Sequence, residues 1–355
     1  MSSDATMTAL VHYELAPGGC ELRERPVPEI GPDDVLLRVA AVGICGSDVH
    51  QYHNTHSWTV NVPVVLGHEF CGKVERVGER VTGFAPGDRV VSETAARVDP
   101  ASPFTRAGRY NLDPARRGFG YGVDGAMAAY VRVPARCLHR LPAGLDDRTA
   151  ALTEPCCVAY SAVVENSPVQ PGDVVVVVGP GPIGLLCAQM ARLRGAGEVV
   201  VVGMERDRAR LDLAARLWAT RTLVAGVDDV DGAVRELGDG YGAEVVIDAS
   251  GASAALQGAL RWVRPEGHIT KVGWGPQPLG FSLDPLVQKA VTLKGSFSHT
   301  YGTWERVIRL LASGTLDPTP LVSRTAPLAD WRACFDGMAA GELIKAVLLP
   351  GDTVA

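Results

Sequence analysis

At 355 residues the chain exceeds what one hydrophobic core usually supports, so two domains are expected, each large enough to bury a substantial core. The 46% hydrophobic and 21% charged content does not indicate disorder. The formal charge of -6, with arginines interspersed among Asp and Glu, leaves no basic stripe for nucleic acid. Residues 10–141 read as short β-like runs, such as 35–39 and 88–91, separated by turn signals, which predicts an irregular, mostly β domain. From about residue 173 the pattern changes to a fully apolar strand (174–178), a glycine-rich turn, a helix (183–194) and a second strand (198–202), a βαβ unit. Helices at 207–217 and 252–263 then alternate with strands at 244–248, 268–272 and 291–295. The class is α/β, with a doubly wound parallel sheet covered by helices on both faces. A helix over 303–312 and a closing segment at 345–349 are expected to return to the first domain. This gives domains of 1–160, 161–297 and 298–355, the last rejoining the first.

Residues 1–10 lack a basic stretch followed by an apolar one, and the most apolar run, 174–193, is broken by Gly179, Pro180, Gly181, Pro182 and Gly184. A cytoplasmic protein with no membrane segment is expected. Its eight scattered cysteines read as reduced thiols, buried or metal-bound.

The glycine-rich turn Gly179-Pro180-Gly181-Pro182-Ile183-Gly184 follows a strand and opens a helix, the order that sets a pyrophosphate on helix N–H groups. Glu205, near the end of the next strand, is placed to accept hydrogen bonds from the adenosine ribose and to repel a 2′-phosphate, which favours NAD. Arg206 and Arg210 count the other way, because a guanidinium there pairs a phosphate. Cys45, His68, Glu69 and Glu154 are a thiol, an imidazole and two carboxyls, all acceptable zinc donors, although their spacing alone equally fits core and surface residues.

Local context separates these readings. Gly43-Ile44-Cys45-Gly46-Ser47-Asp48-Val49-His50, followed by Gly67-His68-Glu69-Phe70-Cys71-Gly72, resembles the zinc signature of the medium-chain dehydrogenase/reductase family, the zinc-dependent alcohol dehydrogenases. Glu154-Pro155 resembles the next ligand segment of its sorbitol and threonine dehydrogenase branch. The resemblance runs from about residue 8 to the C-terminus. It implies a GroES-like catalytic domain wrapped around a Rossmann domain, with the active site in the cleft between them. It further implies that Cys45 and His68 hold a catalytic zinc, with Glu69 and Glu154 both open as third ligand or as the group that positions water. Ser47 and His50 resemble the family's proton relay, and Asp48 reads as a structural residue orienting the loop. Zinc then acts as a Lewis acid on the substrate oxygen while the cofactor takes the hydride. Lys271-Val272-Gly273-Trp274 resembles the nicotinamide-side loop, with core as the other reading of Trp274, and Ser296 and Phe297 lie at a strand end expected near the cofactor.

Two departures from the family matter. Residues 92–120 lack the four cysteines of a structural zinc and hold Arg97, Arg106, Arg109, Arg116 and Arg117 with Asp99 and Asp113. One zinc per chain is therefore expected, with hydrogen bonds, ion pairs or a subunit contact holding that loop. The arginine that grips a polyol in the sorbitol branch is replaced after Gly295-Ser296-Phe297 by Ser298-His299-Thr300-Tyr301. Tyr52, His299 and Tyr301 are candidate substrate contacts. The expectation is an NAD-linked dehydrogenase of a small polar alcohol or ketone (a polyol, cyclitol or amino sugar), working as a homodimer or homotetramer. The alternatives are a threonine-type 3-hydroxy amino acid dehydrogenase, a zinc-free quinone or enone reductase, and a nucleotide-sensing protein without turnover.

Overall fold

The computed structural model describes residues 5–352. The chain divides into two compact units, Met1–Glu154 with Thr300–Ala355, and Pro155–His299.

The first unit is mostly β. Strands β1 (Thr6–His12) and β2 (Cys20–Pro26) pair antiparallel, and β4 (Val64–Val65) joins the other side of β1. The larger sheet is built around β3 (Asp34–Gly43), β5 (Glu69–Val77), β6 (Arg89–Ser92), β7 (Tyr130–Pro134) and β8 (Leu138–Arg140). Its inward residues Val35, Leu37, Val39, Phe70 and Val74 form one core with Phe119, whose ring meets that of Phe70 edge-on at 5.5 Å.

The second unit is a six-stranded parallel sheet. It comprises β9 (Val174–Val178), β10 (Glu198–Gly203), β11 (Arg221–Val224), β12 (Ala243–Asp248), β13 (Val263–Lys271) and β14 (Thr292–Gly295). The order β11-β10-β9-β12-β13-β14 reverses direction between β9 and β12, the switch point beyond whose carboxyl ends doubly wound sheets bind ligands. The five valines of β9 are all buried, as expected for a β-branched strand covered on both faces. The helix Pro182–Leu193 follows, with proline in its first turn, where its missing N–H costs nothing.

After residue 300 the chain re-enters the first unit through the helix Tyr301–Ala312, β15 (Val322–Pro327), the helix Trp331–Ala339 and β16 (Lys345–Leu349), which pairs with β3. The helix at 331–339, the short strand β11 and the strand β15 are additions to the sequence-based expectation. The two strands are short or polar, whereas the helix carries Trp331, Cys334, Phe335 and Met338 at helical spacing, a signal the sequence reading passed over.

The 92–120 loop is held by hydrogen bonds. Asp113 accepts the backbone N–H groups of Asp99 (2.6 Å) and Ala115 (3.1 Å). Arg116 donates to Thr94 (2.8 Å) and to the Tyr121 hydroxyl (2.6 Å). The Tyr110 hydroxyl donates to Glu93 at 2.6 Å and accepts the Tyr301 N–H at 2.5 Å. Buried His139 lies between Glu93 (3.4 Å) and Glu305 (2.6 Å). Among the described residues no helix is long and apolar enough to cross a membrane.

Candidate active site

The strand pairing assembles the donor cluster. In the β3–β5 ladder Gly43 lies opposite Glu69, so the turn after β3, which carries Cys45, meets the turn into β5, which carries His68. Gly43 is required there, because a Cβ would lie 2.3 Å from Glu69 Oε2. Cys45 caps the short helix α1 (Gly46–Tyr52), and Asp48 in its first turn accepts the Cys45 N–H at 2.8 Å, which fixes the cysteine against the helix start. One ligand atom each from Cys45, His68 and Glu69 lies within 4.8 Å of the others.

His68 lies between two polar side chains. Its Nε2 lies 3.5 Å from Ser47 Oγ and its Nδ1 lies 3.7 Å from Asp48 Oδ1. Both His68 Nδ1 and Asp48 Oδ1 are buried without a closer partner. A ring whose Nδ1 faces a carboxylate presents Nε2 as a metal donor, the usual histidine arrangement at metal centres.

The electrostatics favour a cation. Burial alone would lower the His68 imidazole, but the charges of Asp48 and then Cys45 outweigh it and hold the group well above its ordinary value. Burial raises the Asp48 carboxyl against the pull of His68, and burial raises Glu69 against the pull of Lys345, with Glu154 adding to the rise. Buried Glu154, in the first turn of the helix Thr153–Tyr160, thus acts on the same cluster. A thiol, an imidazole and buried carboxyls converging in this way fit zinc.

The residue that sequence reasoning missed is Lys345. Its ammonium lies 2.7 Å from Glu69 Oε1 and 2.5 Å from Oε2, and donates to the Ile44 carbonyl at 2.8 Å, with both side chains at most 3% exposed. The signal was a lysine heading the otherwise apolar strand Lys345-Ala346-Val347-Leu348-Leu349, since a buried ammonium needs a partner.

In the second unit Gly179 adopts φ +93°, and a Cβ on it would strike Ser250. A Cβ on Gly184 would lie 1.8 Å from the Gly179 carbonyl, whereas one on Gly181 meets nothing within 4 Å. Two glycines therefore serve the turn and the helix packing, and Gly181 leaves an open approach to the first turn of the helix, where Pro182 and Ile183 follow. No side chain caps that helix at Gly181, and its leading N–H groups suit a pyrophosphate. Glu205 follows β10 in a short 3₁₀ turn (Glu205–Asp207), with Arg206 exposed beside it and Arg210 3.5 Å from Asp207. The Val272 and Gly273 N–H groups both donate to the Asp248 carbonyl at 2.9 Å, and the Ser296 N–H donates to that of Lys271 at 2.9 Å.

Trp274 is not a core residue: it is 57% exposed, its ring tilted against Phe297 at 5.9 Å, because the segment leaves the sheet after β13. Tyr52 packs edge-on against Trp331 (5.4 Å) and Phe335 (5.9 Å) in the first unit's core. His299 is buried, and the exposed Tyr301 lays its ring 4.6 Å from that of His139. His50 is exposed, with Nδ1 2.8 Å from Thr55 Oγ1.

The family description "Alcohol dehydrogenase GroES-like domain" matches residues 31–143, and "Zinc-binding dehydrogenase" matches residues 182–313. A sorbitol dehydrogenase from Halalkalibacterium halodurans is 38% identical over 98% of this chain and 100% of its own length. The chain belongs to the zinc-type medium-chain alcohol dehydrogenase family. A D-arabitol-phosphate dehydrogenase from Enterococcus avium is 36% identical to this dehydrogenase over 91% of each chain. A zinc-binding dehydrogenase structure from Sinorhizobium meliloti, bound to NADP, superposes with a TM-score of 0.89 at 30% identity, covering 98% of this chain and 100% of that one. The dehydrogenase is thus a zinc-type oxidoreductase with a GroES-like domain and a Rossmann-type sheet.

Proposed function

We propose that this dehydrogenase transfers hydride between NAD and a secondary hydroxyl, or the matching ketone, of a polyol, cyclitol or amino sugar, using one zinc per chain. The carrying observation is the thiol, imidazole and carboxylate of Cys45, His68 and Glu69 within 4.8 Å, in a chain whose relatives are named for sorbitol and arabitol phosphate. When bound, zinc supplies a Lewis acid and the nicotinamide accepts the hydride. Cys45 and His68 hold the metal. Glu69 is the favoured third donor because its carboxyl is in the cluster, and Glu154 acts from nearby.

Asp48 fixes the His68 ring, and Lys345 fixes the Glu69 carboxylate. Ser47, its hydroxyl 3.5 Å from His68 Nε2, takes the proton from the substrate hydroxyl, and exposed His50 passes it to solvent while Thr55 steadies its ring. The open approach at Gly181 seats the pyrophosphate, Glu205 receives the ribose hydroxyls, and Val272, Gly273, Trp274, Ser296 and Phe297 lie toward the nicotinamide. The edge strand β14, whose four residues are all exposed, pairs with a second copy to close the sheet edge in a homo-oligomer. The reduced state of the eight free cysteines suits the cytoplasm.

The test is NAD-linked absorbance change against a panel of polyols, cyclitols, amino sugars and hydroxy amino acids, before and after chelation. Turnover that depends on zinc and is confined to the polyhydroxylated group is expected. Turnover that survives complete zinc removal sinks the metal proposal.

A further inference from the structure

Glu205 does not face the nucleotide end of β10 as a free carboxylate. Arg208, one turn on, grips it with two hydrogen bonds, Nε to Oε1 at 2.6 Å and Nη2 to Oε2 at 2.9 Å. Those two oxygens are the ones a ribose diol needs, so the ribose and the guanidinium compete for one carboxylate. Both side chains are about 60% exposed (60% and 62%), so the pair is weakly held and opens readily.

Arg208 is also the first residue of the helix Arg208–Leu217, where the helix dipole disfavours a cation and favours an anion. The guanidinium remains there in acidic company: Glu205 is its hydrogen-bonded partner, and the charges of Asp228 and Asp212 also act on it. Arg206 is exposed in the same turn, while Arg210 is engaged with Asp207. A 2′-phosphate arriving here meets two arginines and a helix start as well as one carboxylate.

We infer that Arg208 is the residue that sets nucleotide preference, as a lever: bound to Glu205 it weakens the grip on NAD, and swung away from Glu205 it pairs the 2′-phosphate of NADP. The dehydrogenase therefore accepts both nucleotides, with NAD ahead by a modest margin that Arg208 keeps small. This inference rests on the assignment of Glu205 to the adenosine ribose.

The experiment is titration of the zinc-loaded enzyme with NAD and with NADP, read by quenching of protein fluorescence, for the wild type, Arg208→Ala and Glu205→Gln, at low and high salt. Arg208→Ala frees the carboxylate and is expected to tighten NAD by about two- to fivefold, the range of a released exposed ion pair. The same change is expected to weaken NADP by about tenfold, the loss of one charge-assisted contact, and to flatten its salt dependence. Glu205→Gln is expected to do the reverse, weakening NAD and tightening NADP. Equal shifts of both nucleotides in Arg208→Ala, or no shift in either, overturn the lever while leaving nucleotide binding in place. Failure of the wild type to bind either nucleotide overturns the ribose assignment and the lever with it. Steady-state KM values for the two cofactors should follow the binding changes.

Discussion

Replacing Lys345 by methionine keeps most of the stem and deletes the ammonium, leaving the Glu69 carboxylate buried without its cation and the Ile44 carbonyl without its donor. Breaking a buried ion pair from one side costs about 3–5 kcal/mol, and an orphaned carbonyl adds up to about 1–3 kcal/mol where water cannot reach it. Partial overlap of these terms, and protonation of Glu69 to escape the unpaired charge, bring the expected loss to about 4 kcal/mol. At roughly 2–4 °C per kcal/mol for a folding unit of this size, the midpoint should fall by about 8–16 °C. Measurement belongs on chelated protein, by urea and by heat, so that loss of metal does not enter the difference. The double variant Lys345→Met with Glu69→Gln should recover most of the loss, because a neutral amide no longer requires the ammonium. A single-variant cost below about 1 kcal/mol, or no recovery in the double variant, would refute the buried pair as described.

Other tests address separate parts of the molecule. His68→Ala should abolish stoichiometric zinc retention and lower turnover by at least about a hundredfold, read by metal analysis and initial rates, while the Rossmann sheet still binds nucleotide. Gly181→Val and Gly184→Ala should fail differently. The first should leave the melting temperature within about a degree and weaken nucleotide binding by tenfold or more, because open space surrounds the position; the second should destabilise the unit outright, its methyl meeting the Gly179 carbonyl. Tyr110→Phe removes the hydroxyl joining Glu93 to the Tyr301 N–H and should cost about 1–3 kcal/mol, with faster proteolysis within 92–120 as the readout. Burial holds the His268 imidazole below its ordinary 6.5, so the unfolded chain takes up a proton before the folded one. Its contribution to stability is full above 6.5 and is lost as pH falls through that value toward the lower folded one; His268→Gln should flatten this limb in denaturant titrations across pH 5–7.

The fold was legible wherever sequence neighbours alone decide structure. The five valines of β9 and the turn from Gly179 to Gly184 announce a parallel strand and a helix start, and both stand as read. Cys45, His68 and Glu69 were legible as donor types in distinctive local settings, but their convergence depends on the register that puts Gly43 opposite Glu69, which no local pattern encodes. The features that escaped are long-range pairs: Lys345 meets Glu69 across 276 positions, and His139 meets Glu305 across 166. Arg208 escaped for a different reason, since three arginines within five positions offer the same charge and only side-chain geometry selects one. Trp274, read as a nicotinamide-side residue with core as the alternative, lies on the surface where the segment leaves the sheet, which disposes of the core alternative.

The first unit is discontinuous, and the ion that anchors Glu69 comes from its last strand. During synthesis Cys45, His68 and Glu69 are all made before residue 155, yet the carboxylate has no ammonium until nearly three hundred further residues have left the ribosome. Until β16 is laid against β3, the Glu69 carboxyl on this face of the unit lacks its ammonium partner. Completion of the donor site is therefore a late event in the life of the nascent chain, and closing so long a sequence separation is slow. Metal captured earlier would bind the same donors in a less oriented arrangement than the one the finished strand order enforces.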